Sequence, residues 1–139
     1  MITFKNAKIE REFMANGLRS DVRVIVIALA AHIEALHGID IVVTSVDEEP
    51  GVKRKSRAHA KGRAVDVRTK DWPKDAAASA GDWVNSRFAT GAYFKSGRPM
   101  RVAVYHDSGY GPHFHLQVAK GRPVQVMYAG GGETKEFTI

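Results

Sequence analysis

Between Ser20 and Gly38 the apolar residues Val22, Ile25, Leu29, Ile33 and Leu36 recur every three or four positions, the spacing of one helix face. Ser20 stands at the N-cap position and Gly38 at the stop, so a helix is predicted between them. Alanines and valines fill much of its flanks, which predicts a helix largely buried against a sheet. Asp40–Val46 (DIVVTSV) then reads as a strand. In Ala64–Arg68 (AVDVR) the residues Val65 and Val67 point one way and Ala64, Asp66 and Arg68 the other, the alternation of a second strand. Residues 47–62, with Pro50, Gly51 and many charges, read as a long loop. A second helix is predicted over Asp75–Thr90, ended by Gly91, with Ala77, Gly81, Val84 and Phe88 as its stripe and Trp83 on the flank. Strands over Arg101–Tyr105 and His113–Val118, joined by a turn at 107–111, and a further strand near Pro123–Tyr128 complete the pattern. No element is predicted before Ser20, and the tail GGGETKEFTI carries the weakest signal. Helices and mostly antiparallel strands in this order predict an α+β domain, a small sheet packed against helices.

Length agrees with one domain over residues 1–139, since 139 residues bury a sizeable core without a covalent staple. The chain has no cysteine, which excludes a disulfide scaffold, a thiol nucleophile and cysteine-based metal sites. The first twenty residues are too charged for an apolar signal core, and Val24–Ala31 is far short of a membrane span. A protein made in the cytoplasm without a signal peptide is expected. Twenty-one Lys and Arg against fifteen Asp and Glu give a charge of +6, which favours anionic partners such as nucleic acid, anionic lipid or cell-wall polymers. Six of those cations, Lys53, Arg54, Lys55, Arg57, Lys61 and Arg63, fall within eleven residues. They carry no interleaved aromatics, so a base-stacking surface is disfavoured and nucleic acid ranks low.

Candidate chemistry gathers at His59, Asp66 and His115. His59 and Asp66 lie seven apart in HAKGRAVD, with Gly62 and Ala64 between them. In PHFHLQV, His113, His115 and Gln117 share one strand face while Phe114, Leu116 and Val118 face the other way. Two imidazoles and a carboxylate are a common three-ligand zinc set that leaves a position for water. The same donor types serve non-haem iron oxygenases, but those place the first histidine and the carboxylate two residues apart, not seven.

HAKGRAVD followed by HFH resembles the zinc peptidases of the Hedgehog/DD-peptidase fold, a group of D-Ala-D-Ala carboxypeptidases, L-alanyl-D-glutamate endopeptidases and murein endopeptidases. The shared pattern is H-x(6)-D with Gly and Ala inside it and a histidine on a downstream strand; His59, Gly62, Ala64, Asp66 and His115 match. The resemblance spans about residues 44–118 and implies that His59, Asp66 and His115 bind Zn2+. It also implies that His113 acts catalytically, assisting the attacking water or stabilising the tetrahedral intermediate. Two features depart from the pattern. The acid that many relatives carry three residues before the last histidine is Pro112 here, which leaves the general base open between His113, Asp107 and His106. The arginine that relatives carry after the first strand is replaced by acids in TSVDEEP, with Lys53, Arg54 or Arg57 as substitutes.

The expectation is therefore a zinc peptidase acting on the peptide part of bacterial peptidoglycan. Size, charge and the absent signal suit a phage-type hydrolase that reaches the wall after release or as a virion component. The alternatives are a non-catalytic zinc-containing binding module of the same fold and, less favoured, a basic nucleic-acid-binding protein. His32 and His37 on the first helix are expected to be structural.

Overall fold

The computed structural model describes residues 1–48, 57–107, 111–130 and 133–138. The chain runs β1 (Ile2–Phe4), α1 (Ala7–Met14), α2 (Ser20–His37), β2 (Ile41–Ser45), β3 (Ala64–Arg68), α3 (Ala76–Arg87), β4 (Phe88–Ala89), β5 (Ala103–Asp107), β6 (Pro112–Gln117), β7 (Gln125–Gly130) and β8 (Glu133–Thr138). Five strands form a sheet in the order β1-β2-β3-β6-β5, antiparallel except for the β1–β2 pair, and β4-β7-β8 form a second, smaller sheet. The class is α+β, as the order of elements predicts.

Alternation along β3 and β6 divides the main sheet into two chemically distinct faces. Val65, Val67, Phe114 and Leu116 belong to the apolar core, together with Val22, Ile25, Leu29 and Ile33 of α2 and Val84 of α3. The other face of the same two strands carries Asp66, Arg68, His113 and His115. In register, Asp66 pairs with His115 and Arg68 with His113, while β5 brings Val104 beside His115 and His106 beside His113. Core burial thus fixes the polar face, because a one-residue slip would move every side chain to the wrong side.

Several boundaries differ from the sequence pattern for local reasons. The N-cap of α2 is Arg19 with no side-chain cap, and Ser20 is the first helical residue. Arg19 is held instead by Asp21 and by the carbonyls of Ala119 (2.6 Å) and Arg122 (2.8 Å). Leu36 lies outside the buried stripe at 61% exposure, since the helix has run past the sheet by its last turn. The second helix ends at Arg87, not Thr90: Phe88 and Ala89 leave it to pair with β7. The strand expected from Arg101 begins at Ala103, whose backbone N–H and C=O are both bonded by the Asn85 side chain (2.9 and 3.0 Å). The unassigned N-terminus forms β1, which lies parallel to β2, and α1, which starts at Asn6, whose Oδ1 accepts from Ile9 N–H at 3.0 Å. Of the long loop, residues 57–62 form a turn leading into β3; residues 49–56, with Lys53, Arg54 and Lys55, lie outside the described residues, as do 108–110 of the turn expected at 107–111.

Gly62 shows why the motif needs a glycine. Its φ is +66°, and a Cβ there would sit 1.8 Å from the Gly17 carbonyl oxygen, while its own carbonyl accepts from Arg19 N–H at 2.9 Å. The turn that carries His59 is thereby pressed against the start of α2 with backbone on both sides. Gly62→Ala is expected to destabilise the fold by about 2–5 kcal/mol, from left-handed strain and an overpacked contact. Gly17→Ala, with open space around its Cβ, serves as the control. Urea unfolding of both variants measures the difference.

Candidate metal centre

Three elements deliver one ligand atom each to a common point. β3 supplies Asp66, β6 supplies His115 directly across from it, and the Gly62 turn brings in His59. Asp66 Oδ1 lies 3.1 Å from His59 Nε2 and 3.1 Å from His115 Nδ1. The two imidazole centroids are 5.1 Å apart. His59 and Asp66 are buried and His115 is nearly so. One potential ligand atom from each of the three falls within 4.8 Å of the others.

The outer nitrogens of both rings are also engaged, each by an oxygen that can only accept. His59 Nδ1 donates to the Val46 carbonyl at 2.8 Å, and His115 Nε2 to Gln117 Oε1 at 3.1 Å. The Gln117 amide cannot turn around, because its Nε2 donates to the Arg101 carbonyl at 2.9 Å. A neutral imidazole has one N–H. With that hydrogen committed outward on each ring, the inward nitrogens present lone pairs to a carboxylate oxygen. Three electron-rich atoms then converge in a buried place, an arrangement that favours a cation, whether added protons or a metal ion. Protonating both rings instead would set two imidazolium charges about one carboxylate, with mutual repulsion in a buried site. A metal ion bound by the three atoms would resolve the conflict, and a set of two imidazoles and a carboxylate is able to hold one. Ser45, paired with Asp66 across a β-bulge, adds a shielded Oγ with no hydrogen-bond partner.

Burial alone would raise the Asp66 carboxyl, but in the metal-free site hydrogen bonds donated by inward nitrogens that carry a proton, those of His115 and then His59, outweigh it and hold it well below the usual carboxylate range. Asp66 is therefore ionised, as a ligand must be, at any pH near neutrality.

His113 is half-buried on the same face. Its Nδ1 donates to the Gly111 carbonyl at 3.0 Å, which leaves Nε2 as its accepting nitrogen. The exposed His106 ring lies 4.3 Å from that of His113 and 6.3 Å from that of His115, so it borders the site. Asp107 is exposed, and its Oδ1 accepts from Gly111 N–H at 3.2 Å, closing the turn between β5 and β6. Arg57, a candidate anion-stabilising cation, pairs with Glu48 at 3.0 Å, and Arg63 donates to the Val118 carbonyl. His32 stacks on Trp83 at 4.0 Å, away from the site, as a structural residue does.

Two residues at the site carry more than the sequence pattern assigned to them. Gln117 was visible only as a polar position on the histidine face; its hold on His115 depends on the Arg101 carbonyl, which no spacing reveals. Arg68 shares the face of Asp66 by the β3 alternation and would have been a natural partner for it, yet Asp66 meets the two histidines instead. No family model matches the chain, and no curated protein or solved structure matches it.

Two predictions follow from the geometry. If the group holds a divalent metal ion, replacing His115 by Ala should abolish stoichiometric binding, whereas Gln117→Leu, which leaves all three candidate ligands, should weaken it by about 10–100-fold. Competition with a chromophoric chelator measures both, and nitrogen-15 NMR of the imidazoles should show His115 losing its single tautomer in Gln117→Leu. Metal affinity should also fall as pH is lowered, because protons compete with the ion for the ring nitrogens. Asp66 adds nothing to that slope until far into acid, because its depressed carboxyl stays ionised; the same titration repeated from pH 8 to pH 5 checks the sign.

Proposed function

We propose that this protein is a zinc-dependent peptidase that hydrolyses an amide bond in the peptide part of bacterial peptidoglycan, as the resemblance of HAKGRAVD and HFH implies. The observation that carries the reading is the meeting of His59 Nε2, Asp66 Oδ1 and His115 Nδ1 with both rings held from behind by acceptors. Zinc bound there supplies Lewis-acid polarisation of a carbonyl and a water made acidic enough to attack at neutral pH.

The chain's own residues have separable tasks in this scheme. His59, Asp66 and His115 hold the ion. Gln117 and the Val46 carbonyl keep the two rings turned towards it. His113, with Nδ1–H given to Gly111, offers Nε2 to accept a proton from the attacking water, and the resulting N–H then faces the developing oxyanion. A well-placed donor at that point contributes roughly 2.7–4 kcal/mol to transition-state binding. His106 sits beside His113 as its neighbour on the same face.

A non-catalytic zinc-binding module of the same fold is the second reading. Two observations favour it: Pro112 occupies the position where many relatives carry an acidic base, and Asp107 is engaged in closing its turn.

Digestion of purified peptidoglycan, followed by mass spectrometry of soluble muropeptides, separates the two. The zinc-loaded protein should release products with new amine termini, and Asp66→Asn or His115→Ala should release none. A zinc-loaded wild type that yields no new termini from walls of several chemotypes would overturn the peptidase reading and leave the binding module.

A further inference from the structure

Among the described residues Arg68 is a cation without an ion-pair partner, on the same strand face as the candidate metal centre. It ends β3 half-buried, two residues after Asp66 and on the same face, and it pairs in register with His113. Its Nε is shielded from solvent and has no hydrogen-bond partner, and the guanidinium makes no ion pair or side-chain hydrogen bond among the described residues. Other arginines that pack against the fold hold at least one partner through the guanidinium: Arg19 has Asp21 and two carbonyls, Arg23 the carbonyls of Phe13 and Ala15, and Arg63 that of Val118, although the Arg63 Nε is open as well. A guanidinium cannot relieve its position by losing a proton. A shielded donor left open in a folded protein calls for a partner from outside the chain, a water or a ligand.

We infer that Arg68 forms an anion subsite next to the metal centre and takes a free carboxylate of the substrate, one borne on the carbon attached to the scissile nitrogen. This rests on the peptidase reading given above. Adjacent same-face positions on a strand are about 7 Å apart, so Arg68 springs from the backbone one such step from Asp66. In a peptide, the carbonyl carbon of an amide and a carboxylate on the next α-carbon are about 3–4 Å apart by standard bond lengths. Both groups therefore fit within the span of the two side chains, with the carbonyl over the Asp66 row and the carboxylate over the Arg68 row. The planar fork of arginine matches a carboxylate in two parallel hydrogen bonds. Such a carboxylate distinguishes peptidoglycan stems from ordinary proteins: it is the terminal group in D-Ala-D-Ala and the free α-carboxylate of γ-linked D-Glu after L-Ala. In the interior of a protein chain the same carbon carries an amide. The subsite thus explains how a shallow sheet face could select wall peptides.

The test pairs substrate with residue. A stem peptide that the zinc-loaded wild type cleaves is compared with its carboxamide counterpart, in wild type, Arg68→Met and Arg68→Lys, with zinc content checked in each. Amidation should lower kcat/KM by about 10–100-fold in the wild type. Arg68→Met should lower it by a similar factor for the acid and leave the amide unchanged, while Arg68→Lys recovers part of the loss. Equal losses on both substrates, or no loss on either, would overturn the subsite while leaving the peptidase reading intact. Should no peptide be cleaved, titration of the zinc-loaded protein with N-acetyl-D-alanine and N-acetyl-D-alaninamide, followed by NMR, tests the subsite alone. Binding of the acid that is lost in Arg68→Met supports it, and binding that survives Arg68→Met overturns it.

Discussion

The contact between Asp66 Oδ1 and two imidazoles organises the polar face of this protein, and it works only because both rings are pinned from behind. Without the Val46 carbonyl, His59 could carry its hydrogen on Nε2 and settle into an ordinary bond to Asp66. Without Gln117, His115 could do the same through Nδ1. The two outer acceptors remove that freedom, so a neutral site has no proton to place between its three inner atoms. The geometry that could hold a metal ion is set by the fold, through the core that fixes β3 and β6 and the Gly62 turn that packs against the start of α2. Each step lies far from any ion in the sequence of causes, yet each is needed before one can be held.

The same logic explains the division of labour across the sheet. β3 and β6 have one face committed to the core, so their alternate residues have no choice of direction. A ligand on such a strand is held by packing at its neighbours: Val65 and Val67 orient Asp66, and Phe114 and Leu116 orient His115. Adding the Asn85 clamp on Ala103, which anchors β5 against α3, extends the rigid platform to the row of His106. The one ligand not on a strand, His59, is fixed differently, by a turn whose glycine admits no side chain.

Much of this was legible in the chain. The alternation in AVDVR and PHFHLQV gives β3 at Ala64–Arg68 and β6 within one residue, and puts Asp66 and His115 each on the polar face of its own strand, while the pairing that joins the two faces comes from the sheet. The seven-residue step from His59 to Asp66 proved to be a turn followed by a strand, which brings the two side chains together. Other features left no mark that a local pattern could hold. β1 is three residues long and exists because β2 offers it a parallel edge, and Phe88 abandons a helical period because β7 pairs with it. The bulge that sets Ser45 against Asp66 is a property of two strands together. Gln117 and Arg68 were visible as residue types on the right face, but their significance lies in which partners they have and lack, and partners are set by tertiary packing.

Two equally buried aspartates show how partners decide what a carboxylate does. Asp21 is 6% exposed and Asp66 7%, so burial alone cannot rank them. Asp21 accepts from Val22 N–H, Val124 N–H and the Arg19 guanidinium, all groups that always carry hydrogen. Its charge is met by permanent donors, and its task is to tie the start of α2 to the segment before β7. Asp66 faces nitrogens whose hydrogens are drawn to the far side of their rings. A carboxylate of the first kind stabilises a fold. One of the second kind shares an oxygen with two ring nitrogens at once, and that crowding, on the same face as His113 and Arg68, is what makes the group a candidate metal centre.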